Sequence, residues 1–171
     1  MYWRRPGVDF ATANRDDNRD GLRALVDGSI APGLVAIDDD GRAVGWVSLG
    51  PREDFHRLER SRVRPRLDDV PVWSIVCFVV ARRARRRGVA SGLLDGAIAY
   101  ARQQGAPALE AYPVDPTQGR PTAATLYTGP LSMFRRAGFR VVREVVSPRS
   151  TVTRQIVRLD LDARSSTGNN G

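Results

Sequence analysis

The densest chemistry in the chain lies at Arg82, Arg83, Arg85, Arg86 and Arg87, five guanidinium groups within six positions, followed directly by Gly88-Val89-Ala90-Ser91. Small residues opening a helix leave its first N–H groups unpaired and let an anion approach the main chain closely. Guanidinium groups beside them add charge-assisted hydrogen bonds, so the run reads as a phosphate seat. The bland alternative is a solvated arginine cluster next to a tight turn. Two other reactive side chains read more simply. Cys77 stands between Val76 and Phe78 in an apolar run, where a thiol is an inert core group rather than an acyl-enzyme nucleophile. His56 falls in a polar stretch and reads as solvated.

Composition narrows the chemistry further. All 27 basic residues are arginine, so a Walker-type phosphate loop and Schiff-base chemistry, which both need a lysine, have no residue to use. One cysteine and one histidine exclude an internal disulfide, a Cys/His zinc site and an HExxH protease, and no metal site is expected. The 171 residues, 42% hydrophobic and 27% charged, suit one globular domain. That domain is expected over residues 1–162, with 163–171 a polar, disordered tail. The net charge of +8 invites an anionic partner. No apolar run is long enough to span a bilayer, and no apolar stretch follows Arg4 and Arg5 as a secretory leader would require, so a cytoplasmic protein is expected.

The elements that must position the arginine run follow from periodicity. A helix is expected over Arg15 to Asp27, with Leu22, Leu25 and Val26 on one face. Gly33–Ile37 and Ala43–Leu49 flank Asp38-Asp39-Asp40-Gly41, the pattern of a β-hairpin. Pro51 to Asp69, with six arginines against five acidic residues, reads as a loop holding at most one short helix. Val70 to Val80 is rich in β-branched and aromatic residues and apolar nearly throughout, as in a central strand covered on both faces. From Gly88 the period becomes helical: Ala90, Leu93, Leu94, Ala97, Ile98 and Ala101 make one stripe, and Gly105 stops it. Pro107–Val114 follows as a buried strand, Pro116–Pro121 as a loop, Pro130–Ala137 as a helix, and Phe139–Val146 and Thr151–Leu161 as two closing strands.

Strand, basic turn, glycine and long helix in this order resemble the GNAT superfamily of acetyl-coenzyme A-dependent N-acyltransferases. Its pyrophosphate loop, Gln/Arg-x-x-Gly-x-Gly/Ala, is matched by Arg85-Arg86-Arg87-Gly88-Val89-Ala90, and Phe134-Arg135-Arg136-Ala137-Gly138-Phe139 is similar to the ending of the family's last helix. The order of elements also agrees over Gly33 to Leu161. Residues 1–30 match less well, since only Tyr2-Trp3-Arg4 could supply the family's first strand. The resemblance implies an α/β (α+β) fold: a mixed, mostly antiparallel sheet with helices on both faces. It implies acetyl-CoA as co-substrate, with Phe78, Val79 and Val80 bonding the pantetheine arm through their backbones. Arg85, Arg86, Arg87, Gly88, Val89, Ala90 and Ser91 would cradle the pyrophosphate.

The resemblance also shows what is missing. Many members carry a glutamate base eleven residues before the loop, where this chain has Ser74, which could hold only a water. Many carry a tyrosine acid where Phe134 stands; Tyr127, seven residues upstream, could present its hydroxyl to the same face if Gly129-Pro130 did not break the helix. Glu110, the only glutamate in a buried strand, is the remaining base, because desolvation raises a carboxylate's pKa; pairing with a core-edge arginine is its structural alternative. The expected reaction is direct attack of a primary amine on the thioester within a ternary complex, the acceptor being a small molecule or a peptide. Glu53, Asp54 and Glu59 in the loop could attract a cationic amine. A CoA-binding domain without turnover, or a basic nucleic-acid-binding module, is the competing class. Nucleic acid fits less well, because the arginines precede small helix-opening residues and are not interleaved with aromatics. An exposed edge strand would permit a homodimer.

Overall fold

The computed structural model describes residues 2–115, 117, 126–145 and 153–161. The expected tail, the turn at Ser147–Ser150 and nearly all of the Pro116–Pro121 loop lie outside them. The chain opens with α1 (Gly7–Thr12) and α2 (Arg15–Val26). Asn14 starts α2 by a reciprocal cap: its side chain accepts from Asp16 and Asp17 N–H at 2.8 and 2.9 Å, and the Asp17 carboxylate accepts from Asn14 N–H at 2.9 Å. The expected apolar face of α2 forms but buries no residue fully; Leu22 borders a cavity beside Tyr2, Trp3 and Trp46. Tyr2 to Arg5 forms turns instead of a first strand, and Trp3 is buried in the cluster with Phe55, Leu58 and Tyr112.

The sheet has six strands in the order β1-β2-β3-β4-β6-β5: β1 (Gly33–Ile37), β2 (Ala43–Pro51), β3 (Trp73–Val80), β4 (Ala108–Ala111), β5 (Arg140–Val145) and β6 (Arg154–Asp160). Only β3 and β4 run parallel; the other neighbours are antiparallel, as expected for the fold class. The long helix α4 (Val89–Gln103) and the short α5 (Leu131–Arg136) cover one face. There Leu93, Leu94, Ala97, Leu131 and Phe134 meet Val47, Ile75, Phe78 and Leu109. Trp3 and a four-residue helix, α3 (His56–Glu59), cover the other face through Phe55, Leu58, Val76, Tyr112 and Ile156.

Two expected strands are shorter in the fold. β3 starts at Trp73, because Val72 N–H turns back onto the Val70 carbonyl. β4 stops at Ala111, ahead of Pro113, which has no N–H to continue a ladder. The Pro51–Asp69 loop holds a single 3₁₀ turn, Arg52–Asp54, besides α3.

Candidate active site

β3 carries one extra residue against β2. Ser48 pairs with Cys77 and Leu49 with Ile75, which leaves Val76 as a bulge. The last β3–β4 pair, Ile75 with Ala111, sits at the same level. A bulge bends the strand that bears it, and beyond this one β3 runs on to Val80 with no β4 partner. The two parallel strands therefore part into a wedge. Ala81 N–H bonds the Val44 carbonyl, so by alternation Val79 and Cys77 aim their backbone groups at β2, while Phe78 and Val80 aim theirs into the wedge. Of the three residues expected to offer backbone bonds, Val79 faces the wrong way. The Val80 carbonyl is already held by Arg85 Nε at 3.2 Å, which ties the basic turn to the strand end.

The turn then delivers its chain to α4 through two residues in the left-handed region, Arg86 at φ 62° and Gly88 at φ 80°. Gly88 is the N-cap of α4 and no side chain caps the helix, so its first amides point into a cavity of about 280 Å³. Arg85, Arg86, Ala90 and Ser91 line that cavity, and Arg136, from the last turn of α5, closes its far side. Arg87 is turned away, into a groove between the hairpin and α4 that it shares with Arg83 and Asp38. Arg136 escaped the sequence reading although it lies inside the Phe134–Phe139 motif. The motif marks the end of a helix, not which of its arginines faces the seat.

Two further cavities continue from this one. The wedge itself, about 390 Å³, shares Val80, Arg85, Ala90 and Pro130 with the phosphate seat and ends at Tyr127. Tyr127 and Val79 also line a third cavity of about 500 Å³, walled by Tyr2, Trp3 and Trp46 with Cys77 and Ser48. Tyr127 is not on the last helix: Leu126–Thr128 is a separate 3₁₀ turn, and Gly129 at φ 83° with Pro130 breaks the chain before α5. The break turns its ring to the junction of the two cavities. Burial pushes the Tyr127 phenol above its usual value, with Arg64 and Arg154 pulling the other way, so the hydroxyl keeps its proton. Burial likewise raises the Cys77 thiol, consistent with an inert group. Among the described residues no carboxylate lines the aromatic cavity, and Arg4, the one guanidinium among them there, is bound to Asp54 at 3.0 Å and to the Leu49 carbonyl at 3.1 Å. Glu59 is likewise occupied, by Arg52 and Arg66, so neither acid stands free to attract a cationic amine.

Ser74 and Glu110 face each other across β3 and β4, and both lie inside the sheet's second face, 0% and 1% exposed. Ser74 Oγ meets the Tyr112 hydroxyl at 2.9 Å. Glu110 Oε1 accepts from Arg158 Nη2 at 2.7 Å; Oε2 accepts from Arg52 Nη1 at 3.4 Å and the Tyr112 hydroxyl at 3.3 Å. Arg52, 2% exposed, also bonds Tyr112, Glu59 and the Arg64 carbonyl, and Arg158 also bonds Asp68 at 3.0 Å. Hydrogen bonding to Asp68 and Glu110 raises the Arg158 pKa further, while burial raises that of Tyr112. Both Glu110 oxygens are thus taken by a closed network that clamps β4 to the loop after β2 and to β6. This is the arginine pairing that stood as the alternative to a base.

The model of the acetyltransferase (GNAT) family matches residues 2–127. Among solved structures, a GCN5-related N-acetyltransferase from Kribbella flavida superposes with a TM-score of 0.56 at 22% identity, over 87% of this chain and 82% of that one. A ribosomal-protein-alanine N-acetyltransferase from Brucella melitensis gives 0.53 at 21% identity, over 87% and 80%. The yncA protein of Salmonella typhimurium, solved with acetyl-CoA as its cofactor, gives 0.54 at 18% identity, over 92% and 80%. No curated protein is similar in sequence.

Proposed function

The chain belongs to the GNAT acetyltransferase family, and on that premise we propose that it transfers the acetyl group of acetyl-CoA to a primary amine by direct attack, both substrates being bound at once. The observation that carries the reading is the continuity of three cavities: an arginine-rich seat at the start of α4, a wedge along β3, and an aromatic chamber, with Tyr127 at the last junction. Their order matches the order of groups along an acyl-CoA, phosphates first and thioester last. The amides opening α4, with Arg85, Arg86 and Arg136, hold the pyrophosphate. Phe78 and Val80, through the backbone groups aimed into the wedge, align the pantetheine arm and receive the developing oxyanion. Ser91, just inside α4, adds a hydroxyl to the seat; Val89 and Ala90 supply main chain only.

The amine nitrogen attacks the thioester carbon, the C–S bond breaks, and the Tyr127 hydroxyl protonates the departing thiolate. The amine's surplus proton leaves to water, because the Glu110 carboxylate and Ser74 hydroxyl are committed to the buried network. Such a site works best on an amine that is already neutral near pH 7. The aromatic chamber suits an acceptor with an apolar or aromatic body, whether a small molecule or the end of a peptide.

Calorimetric titration with acetyl-CoA, followed by an assay of CoA thiol release over a panel of amines, tests the proposal. One-to-one binding, with thiol release faster for aniline-like and α-amino acceptors than for lysine-like alkylamines, is expected. No saturable acetyl-CoA binding would remove the function altogether; binding with no release from any amine would leave a CoA-binding domain without turnover.

A further inference from the structure

A fourth cavity, of about 470 Å³, lies on the other side of Tyr2 and Trp3 from the aromatic chamber, and Arg57, Arg60 and Arg64 line it together with His56, Ser61 and Pro6. Among the described residues no carboxylate lines it. Of the acids of the loop that builds it, Asp54 is bound to Arg4, Glu59 to Arg52 and Arg66, and Asp68 to Arg158, while Glu53 and Asp69 do not line the cavity. Arg60 and Arg64 consequently have no carboxylate partner among the described residues. Arg64 Nε is buried and makes no hydrogen bond there either. Burial, together with the nearby Arg154, pulls the Arg64 guanidinium below its usual value, as a cation without a counter-ion should be.

The aromatic pair explains how such a cluster is held. Tyr2 and Trp3 pack edge to face at 5.3 Å; the Arg57 guanidinium lies 4.0 Å from the Tyr2 ring centre and that of Arg64 5.2 Å from the Trp3 ring centre. Stacking uses the flat face of the Arg64 guanidinium and leaves its edge N–H groups to donate in plane. These are the donors that bind oxyanions in pairs. Two cations without counter-ions, Arg60 and Arg64, set the charge that would neutralise the cavity at minus two.

We propose that this cavity is an anion site for a phosphate-type dianion, separate from the CoA phosphate seat. It does not depend on the acetyl-transfer reading, since none of its residues lines the seat or the wedge. The probe is inorganic phosphate, titrated calorimetrically into protein carrying one equivalent of CoA, with acetate in a parallel titration. Saturable one-to-one phosphate binding is expected, weakened on the order of tenfold by Arg60→Gln and by Arg64→Gln, unchanged by Arg136→Gln, and tighter than acetate. Arg60 is exposed, so Arg60→Gln decides the matter if Arg64→Gln fails to fold. Absence of saturable binding, indifference to Arg60→Gln, loss with Arg136→Gln, or acetate binding as tightly as phosphate would each overturn the site.

Discussion

At the residue scale the proposed chemistry rests on Tyr127, which lines both the wedge and the aromatic chamber beside Val79 and brings a hydroxyl there. As an acid it must hold its proton, and burial moves its pKa upward from the ordinary phenol value. The turnover rate should therefore show no alkaline fall below about pH 10, the unperturbed tyrosine range, from this group. Tyr127→Phe should lower kcat by about 10² while acetyl-CoA affinity stays as it was. A variant with unchanged kcat, or an alkaline limb that Tyr127→Phe does not alter, would dismiss the tyrosine as acid. Glu110 calls for the opposite expectation. Glu110→Gln leaves Arg52 and Arg158 buried without their shared counter-charge, which should reduce stability by about 3–5 kcal/mol in chemical denaturation. The acid limb of its rate–pH profile should not move; if it does, Glu110 is a base after all. Ser74, Glu110 and Tyr127 could each be picked out from the sequence by type and position. Their surroundings could not, because Arg52 and Arg158 lie 58 and 48 residues from Glu110, and no local period encodes such a meeting.

The basic turn and α4 act as a unit, and here the sequence was most legible. The apolar stripe of α4 and the Asp-Gly hairpin are short-range signals, and both elements form within two residues of their expected limits. The wedge has no such local signal, because the bulge at Val76 depends on how β2 and β3 register, not on the composition of either. Val79 turns its backbone groups to β2 for a simpler reason: three consecutive strand residues cannot all face one edge, so the one between Phe78 and Val80 points the other way. The function of the turn can be separated from its backbone demands at Gly88. A Cβ there meets no atom within 4 Å, so space is open, but φ of 80° strains most side chains. Asparagine and aspartate tolerate that region about equally well, so the pair isolates charge from strain. Gly88→Asn should weaken acetyl-CoA binding only modestly, and Gly88→Asp on the order of 10²-fold further, with equal thermal stabilities for the two. Equal affinities would mean that the phosphates do not lie at this turn.

Across the whole molecule, the net charge of +8 overstates the field available to a partner. Arg4, Arg42, Arg52, Arg66, Arg140 and Arg158 are each bound to carboxylates of the same chain. Among the described arginines without such a partner, Arg85, Arg86 and Arg136 line the seat at α4, and Arg60 and Arg64 line the cavity behind Tyr2 and Trp3. Concave clusters of this kind hold a small anion at close range, where salt screens little, whereas a duplex is held over a broad surface by many loosely solvated contacts. The two modes differ in salt response. Nonspecific duplex affinity falls with a log–log slope of about 0.9 for each phosphate neutralised, so it should vanish between low and high salt. Acetyl-CoA, if held as proposed by backbone amides and three guanidinium groups inside a cavity, should lose far less over the same range. Calorimetry of both ligands at two salt concentrations checks this directly. Acetyl-CoA binding that survives high salt while duplex binding disappears would mean that the arginines are placed for a cofactor. A duplex that outlasts acetyl-CoA would mean that the surplus charge serves nucleic acid, and that the three aligned cavities have another use.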